Sequence, residues 1–423
     1  MQPEHVSDRT AENAMARVSG WKLNRLRSRT LALTAMVAAA LSCAAAPALA
    51  QARQKFNFAV TFPLTGIAAS QGETASKAVK IALQEINDHD YIGGVELVPF
   101  ILDSEAKPDI GVRALEQAIT VNGAGYVITG YSSVSAAQAP IAERSRVVLV
   151  NVGGASPVLS NLSPWFFNAI PLTHLQIPIL LEEIIEVQHK KSVALLFRDD
   201  DLGRGIRSLF GASAQALGGK LVAEESYLPG TNDFRRQLAR IRAGSPDMVY
   251  IAGVATEIGS IIGQAASLGL TPLWTSYGAY NHKATIELGK QAADGGIYTN
   301  PANFGANLKT LPRYEQMLSA WRTAYGSTSD LDYIAGQIYL GVYLLADTLK
   351  TLKSSGKALT PENIRDAMRT TKYETVTGPM TFDKHQDALT SIAIYRLEKS
   401  EFKPYKVYSS DDVSAINARV VKQ

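Results

Sequence analysis

The sequence predicts an α/β protein made of two doubly wound parallel-sheet lobes. Short apolar, β-rich runs alternate with longer segments whose apolar residues recur every three to four positions. The alternation comes in two successive sets, each longer than 100 residues. Of the 423 residues, 46% are hydrophobic and 19% charged, enough apolar content for two cores and too little charge for a disordered chain. Strands alternating with helices of this length imply right-handed βαβ crossovers, and hence parallel sheets.

In the first set, residues 56–62 (FNFAVTF) read as a strand, followed by a helix over 72–88 with Ala75, Val79, Ala82 and Ile86 on one face. Gly93-Gly94 makes a turn into a strand at 95–102. A helix near 110–121, a strand at 126–130, a helix near 135–144 and a strand at 147–152 complete the set. The second set opens with an apolar helix at 172–189 and continues as strand 192–198, helix 203–217, strand 220–227, helix 232–243, strand 247–253, helix 257–268 and strand 272–277. Residues 311–370 read as mostly helical, with β-like segments near 378–382 and 391–397. No low-complexity linker separates the sets, which favours lobes joined by several short crossings.

The first fifty residues read as an export signal. Residues 22–29 are basic, residues 31–46 carry no charge, and Ala48-Leu49-Ala50 gives the small-x-small pattern of a cleavage site, with Gln51 as the mature start. The apolar run is shorter than the ~20 residues a membrane span needs, so a retained anchor fits less well. So does lipidation at Cys43, because Ala40 stands where that signal usually has leucine. Cys43 is the single cysteine, which excludes disulfide frameworks, cysteine-based zinc sites and iron–sulfur clusters. Lysine and arginine total 42 against 39 acidic residues; the excess sits in residues 1–50, and the remainder carries 36 of each. A neutral body gives no electrostatic reason to expect nucleic acid as a partner.

The motifs of several enzyme classes are missing. There is no G-x-x-x-x-G-K-[ST] loop, no complete G-x-G-x-x-G and no G-x-S-x-G elbow. The six histidines are scattered without zinc spacing. Asp199-Asp200-Asp201 offers carboxylates to a divalent cation, but such a run after a strand more often caps the next helix. What remains lies at the carboxyl ends of the predicted strands, where open α/β sheets bind ligands. The first strand ends in Pro63-Leu64-Thr65-Gly66, with Ser70-Gln71-Gly72 beyond it. The third ends in Gly130-Tyr131-Ser132-Ser133, and the fourth in Gly153-Gly154-Ala155-Ser156-Pro157. Each alone is an ordinary turn and N-cap. Together they offer close backbone approach, helix-start amides and hydroxyls suited to a carboxylate.

With these motifs the chain resembles the type I periplasmic solute-binding proteins of ABC importers, the branched-chain amino-acid-binding (Leu/Ile/Val-binding) family. The likeness spans about residues 55–400 and includes Asp199…Gly203-Arg204-Gly205, Gly253, and Gly378-Pro379…Phe382-Asp383. It implies a periplasmic binding protein-like I fold whose lobes, 55–171 with 301–377 and 172–300 with 378–423, are joined by three crossings near Pro171, Pro301 and Gly378. It implies a periplasmic monomer with no cofactor and no catalysis, which traps a small solute and delivers it to membrane permease subunits. A sensor subunit of the same fold is the alternative.

Carried over by residue, the resemblance gives Ser133, with Ser132 beside it, the solute carboxylate, and gives Gly154 and Ala155 the backbone amides, with Ser156 following. Ala155 replaces the family's usual threonine. Leu202 stands at the position of an aromatic, as does Gln71 on the first loop. Leu202, Val254 and Tyr277 shape the far end of the site. Tyr277 falls where amino-acid binders place the acid that holds the α-ammonium. A buried ammonium without an anionic partner is costly, so Glu257 or one of Asp199, Asp200 and Asp201 has to substitute, or the solute is a carboxylate, aromatic acid or amide without that group. Tyr131, Tyr277 and Tyr280 either wall the site or pack in the core.

Overall fold

A computed structural model describes residues 53–302, 311–326 and 333–421. The export signal and Cys43 lie outside the described residues.

Strand β1 (Gln54–Phe62) is followed by helix α1 (Ala69–Asp88), β2 (Val95–Asp103), α2 (Pro108–Thr120), β3 (Tyr126–Thr129), α3 (Ser132–Ser145), β4 (Val148–Asn151) and β5 (Phe166–Asn168). These strands form one parallel sheet in the order β2-β1-β3-β4-β5. Both faces are covered, so successive residues of a strand enter different apolar clusters. Phe56, Phe58, Val60 and Phe62 join a cluster with Ala75, Val79, Ala82 and Ile86 of α1, the face read from the sequence. Ala59, one pleat over, packs on the other side with Leu115, Val127 and Leu149.

Helix α4 (Thr173–Glu182) leads into the second sheet through a π-helical turn at Glu183–Val187. The wide turn carries Glu183 inward to 1% exposure, where its carboxylate accepts from Tyr405 Oη (3.1 Å) and Lys406 Nζ (3.0 Å). The second set follows as β6 (Ser192–Arg198), α5 (Asp201–Ala216), β7 (Lys220–Tyr227), α6 (Arg235–Ala243), β8 (Met248–Ala252), α7 (Ala255–Ser267), β9 (Leu273–Ser276), α8 (Lys283–Gly289) and β10 (Ile297–Pro301). Its five strands are parallel in the order β7-β6-β8-β9-β10, the arrangement of the first sheet repeated.

Helices α9 (Pro312–Tyr325), α10 (Tyr333–Ser354) and α11 (Pro361–Met368) return to the first sheet, and Ile338, Leu345 and Ile364 share its apolar cluster. Tyr126 Oη donates to the Gly341 carbonyl of α10 at 2.8 Å. Strands β11 (Tyr373–Thr375), β12 (Gly378–Phe382) and β13 (Ala388–Leu389) make a small antiparallel sheet, and Met380, Phe382 and Ala388 join that same cluster. The chain then enters the second sheet as β14 (Ile392–Glu398), antiparallel to β10, and β15 (Glu401–Tyr408), antiparallel to β14, before ending in α12 (Ser410–Val421). The second sheet is therefore mixed at one edge.

Phe58 is fully buried in β1. Phe58→Ala is expected to lower the unfolding free energy by about 3–5 kcal/mol, from lost transfer energy and the cavity left behind, read as a drop in the urea midpoint.

Candidate functional site

In a sheet of order 2-1-3-4-5 the chain leaves the first and third strands toward opposite sides, and a crevice opens between their carboxyl ends. In the first sheet the crevice lies between β1 and β3. The loop after β1 is pinned by Asp103, which accepts from Leu64 N (2.8 Å) and Thr65 Oγ1 (2.5 Å). Burial would raise the Asp103 carboxyl, but hydrogen bonds from the Thr65 hydroxyl and the Glu105, Leu64 and Thr65 amides outweigh it and hold the group below the usual carboxylate range. At Gly72 a Cβ would stand 2.1 Å from the Pro63 carbonyl oxygen, so only glycine lets α1 begin under this loop.

Tyr131, between β3 and α3, takes φ 66°, a conformation that costs a non-glycine residue roughly 1–3 kcal/mol. Its ring packs edge-on against Phe62 at 6.0 Å, and its hydroxyl donates to Gln71 Oε1 across the crevice. Burial pushes this phenol up to about 12, so it remains a donor at neutral pH. Next, Ser132 Oγ accepts from Ser156 N at 3.2 Å. Among the described residues the Ser133 hydroxyl has no hydrogen-bond partner; it sits in the first turn of α3, whose leading amides have no carbonyl a turn earlier to receive them. Asn151, at the end of β4, accepts from Gly154 N (2.7 Å) and donates to Gly154 O (2.7 Å). A Cβ on Gly154 would lie 2.9 Å from Ser132 N, so glycine allows the two loops to touch. Ala155 is 7% exposed; its carbonyl accepts from Thr173 N at 2.9 Å, while its own N–H has no acceptor among the described residues. A half-buried hydroxyl, a buried amide and a helix start thus converge as unused donors, an arrangement suited to a carboxylate.

In the second sheet the crevice lies between β6 and β8. Arg198 ends β6 and reaches toward both sides: Nε lies 2.9 Å from Asp200 Oδ2, and Nη1 lies 3.6 Å from Glu257 Oε1. Glu257, in the first turn of α7, is 9% exposed and accepts from Tyr227 Oη (2.8 Å) and Val254 N (3.1 Å). Tyr277 Oη donates to the Gly253 carbonyl at 3.0 Å, and burial, with Asp200 and Glu257 next in weight, keeps its phenol protonated far above the ordinary value. Asp200 caps α5 by accepting from Gly203 N at 2.9 Å, while Asp199 and Asp201 pair with Arg204 at 2.8 and 3.1 Å. The aspartate run is thus occupied by capping and ion pairing.

The two edges meet. Ser156 Oγ donates to the Asp201 carbonyl at 2.8 Å, joining the loop after β4 to the start of α5. A Cβ on Gly205 would stand 2.9 Å from both Ser156 Oγ and Pro157 Cδ. Of the residues singled out in the sequence, Gln71 meets Tyr131, and Ser132 meets Gly154 and Ser156, while Ser133 and Ala155 keep free donors. Tyr277 and the 37% exposed Val254 stand together at the end of β8. Leu202 packs against the apolar cluster of the second sheet. Tyr280 is core: it is fully buried, stacks on Tyr298 at 5.7 Å and donates to the Ala293 carbonyl. Two residues were missed. Arg198 was readable as a lone cation ending an apolar strand, and Asn151 gave no signal before its contacts were known.

Two doubly wound sheets meeting at their ligand-binding edges define a solute-capturing protein. Residues 55–401 match the family model described as periplasmic binding protein, and the chain belongs to that family, whose members bind solutes and are not enzymes. It is 23% identical over 351 residues to a leucine-, isoleucine-, valine-, threonine- and alanine-binding protein of Pseudomonas aeruginosa, covering 82% of this chain and 91% of that one. Among solved structures, the fold is similar to that of the branched-chain amino-acid binding protein LivJ from Streptococcus pneumoniae in complex with isoleucine (TM-score 0.74, 20% identity, 84% of this chain and 100% of that one). It is also similar to a solute-binding protein of an R. palustris ABC transporter in complex with 4-hydroxybenzoate (TM-score 0.74, 17% identity, 84% and 97%).

Because Gly205 faces Ser156 and Pro157 without space for a side chain, Gly205→Val is expected to weaken solute binding by roughly 1–3 kcal/mol through overpacking while leaving the urea midpoint nearly unchanged. Calorimetry and denaturation on the same preparation check both halves.

Proposed function

We propose that this protein is the periplasmic solute receptor of an ABC importer, exported by a cleaved signal, monomeric, and capturing a small organic carboxylate between two lobes for delivery to permease subunits. The observation that carries the reading is a pair of donors unused among the described residues, the Ser133 hydroxyl and the buried Ala155 amide, beside the start of α3 at the first sheet's crevice. A buried donor without an acceptor costs about 1–3 kcal/mol, and a carboxylate removes that cost. The direct contact between Ser156 and Asp201 supports a clamp in which the opposing edge covers the solute. In this reading one lobe comprises the first sheet with α9 to α11 and the small sheet, and the other comprises the second sheet with α4 and α12. This reading sets the third crossing between β13 and β14, where the resemblance implies Gly378.

The relatives narrow the solute class without fixing it. One is named for aliphatic amino acids, and the neighbours were solved with isoleucine or 4-hydroxybenzoate. What these solutes share is a carboxylate, the group the first-sheet donors suit.

A thermal-shift panel of amino acids, aromatic acids, short-chain acids and amides is expected to raise the midpoint only with compounds bearing a free carboxylate, since a solute bound to the folded state stabilises it by mass action. A response to methyl esters equal to that of the acids would contradict the reading. For the best solute, Ser133→Ala is expected to weaken binding by roughly 1–3 kcal/mol, the loss of one hydrogen bond to a charged group, measured by calorimetry.

A further inference from the structure

The second sheet's crevice carries information about the solute that the first does not. Its two acids are already engaged. Asp200 Oδ1 accepts from Gly203 N at 2.9 Å, and Oδ2 faces Arg198 Nε at 2.9 Å. Glu257 Oε2 accepts from Tyr227 Oη and Val254 N, and Oε1 faces Arg198 Nη1 at 3.6 Å. The second oxygen of each faces Arg198, so an ammonium there would compete with the guanidinium for it.

Arg198 is in the opposite condition. Its Nε is buried and, although close to Asp200, is not aligned to donate to it; its Nη2 has no partner among the described residues. This guanidinium bridges the carboxyl ends of β6 and β8, the switch point of the second sheet, as Tyr131 and Gln71 bridge that of the first. A guanidinium donates hydrogen bonds and accepts none. It therefore repels an ammonium and selects an acceptor. Two carboxylates already outnumber the one cation, so a third would add to an excess of negative charge in a half-buried place. A neutral oxygen, such as a carbonyl, an amide oxygen or a phenol, satisfies the free N–H groups without that cost.

We propose that Arg198 is the specificity-determining residue of the second sheet's edge, and that the solute is a carboxylate lacking an α-ammonium whose far end presents a neutral hydrogen-bond acceptor to this guanidinium. The proposal rests on the solute-receptor reading above and narrows it.

Matched probes test it by calorimetry: pentanoate against 4-oxopentanoate, benzoate against 4-acetylbenzoate, and leucine against 4-methylpentanoate. With the wild-type protein, the acceptor-bearing member of each of the first two pairs is expected to bind about tenfold more tightly, the equivalent of one charge-assisted hydrogen bond, and 4-methylpentanoate more tightly than leucine. Arg198→Met is expected to reduce the acceptor preference to near unity, and Arg198→Lys to retain part of it. A purely structural Arg198 would lower both members of a pair alike, so the ratio separates the two roles. The wild-type pairs decide the matter even where the Met variant fails to fold. Carboxylate binding with no acceptor preference, or leucine binding more tightly than its deaminated analogue, overturns the role of Arg198 alone. Absence of binding by every carboxylate removes the solute-receptor reading, and this proposal with it.

Discussion

Everything that gives this molecule a site follows from one constraint of parallel sheets. When strands run in the order 2-1-3-4-5, the crossovers on either side of the first strand diverge, and the carboxyl ends of the first and third strands cannot be covered by their own helices. The chain meets that constraint twice, at β1 with β3 and at β6 with β8. Each gap is crossed by one side chain: Tyr131 reaches Gln71 over the first, and Arg198 reaches Glu257 over the second.

The energetic signature at both places is local dissatisfaction inside a well-satisfied fold. Strands β3, β4 and β8 are buried along their whole length. At the gaps, by contrast, a tyrosine sits at positive φ and, among the described residues, a buried alanine amide has no acceptor and a guanidinium has a buried nitrogen without a hydrogen bond. Such departures are disfavoured for folding and are retained where a ligand or another surface makes up the difference. Gly154 and Gly205 serve the same end by steric means. One lets two loops of the first sheet touch and the other lets the second sheet's first helix approach them, each at a distance that a Cβ would make a clash.

Most of the architecture was legible because buried parallel strands are short apolar runs and the helices between them keep a clear three-to-four spacing. The strand at 192–198 has the boundaries the sequence predicts, and Ala75, Val79, Ala82 and Ile86 lie on the buried face of α1, which Ala78 and Ile81 extend. The elements missed have physical reasons. β5 is three residues long, too short for a periodic signal. β15 (EFKPYKVY) is an edge strand exposed along most of its length, so its alternation is not apolar against polar. The wide turn at Glu183 depends on partners more than 200 residues away, which local pattern cannot reveal. In the site, residue types at strand ends were readable, but allocation of their hydrogen bonds was not. Gly154 has its amide taken by Asn151, and Ser156 has its hydroxyl taken by Asp201, while Ser133 and Ala155 keep theirs free among the described residues. Those differences depend on contacts made only after the chain has folded.

In the proposed clamp, two edges close over one solute. Small-angle scattering on the mature protein, with and without the carboxylate that gives the largest thermal shift, tests it most directly. Closure of the clamp gives a smaller radius of gyration at saturating solute, reversed on dialysis. Identical scattering curves under conditions where calorimetry reports full occupancy would contradict it.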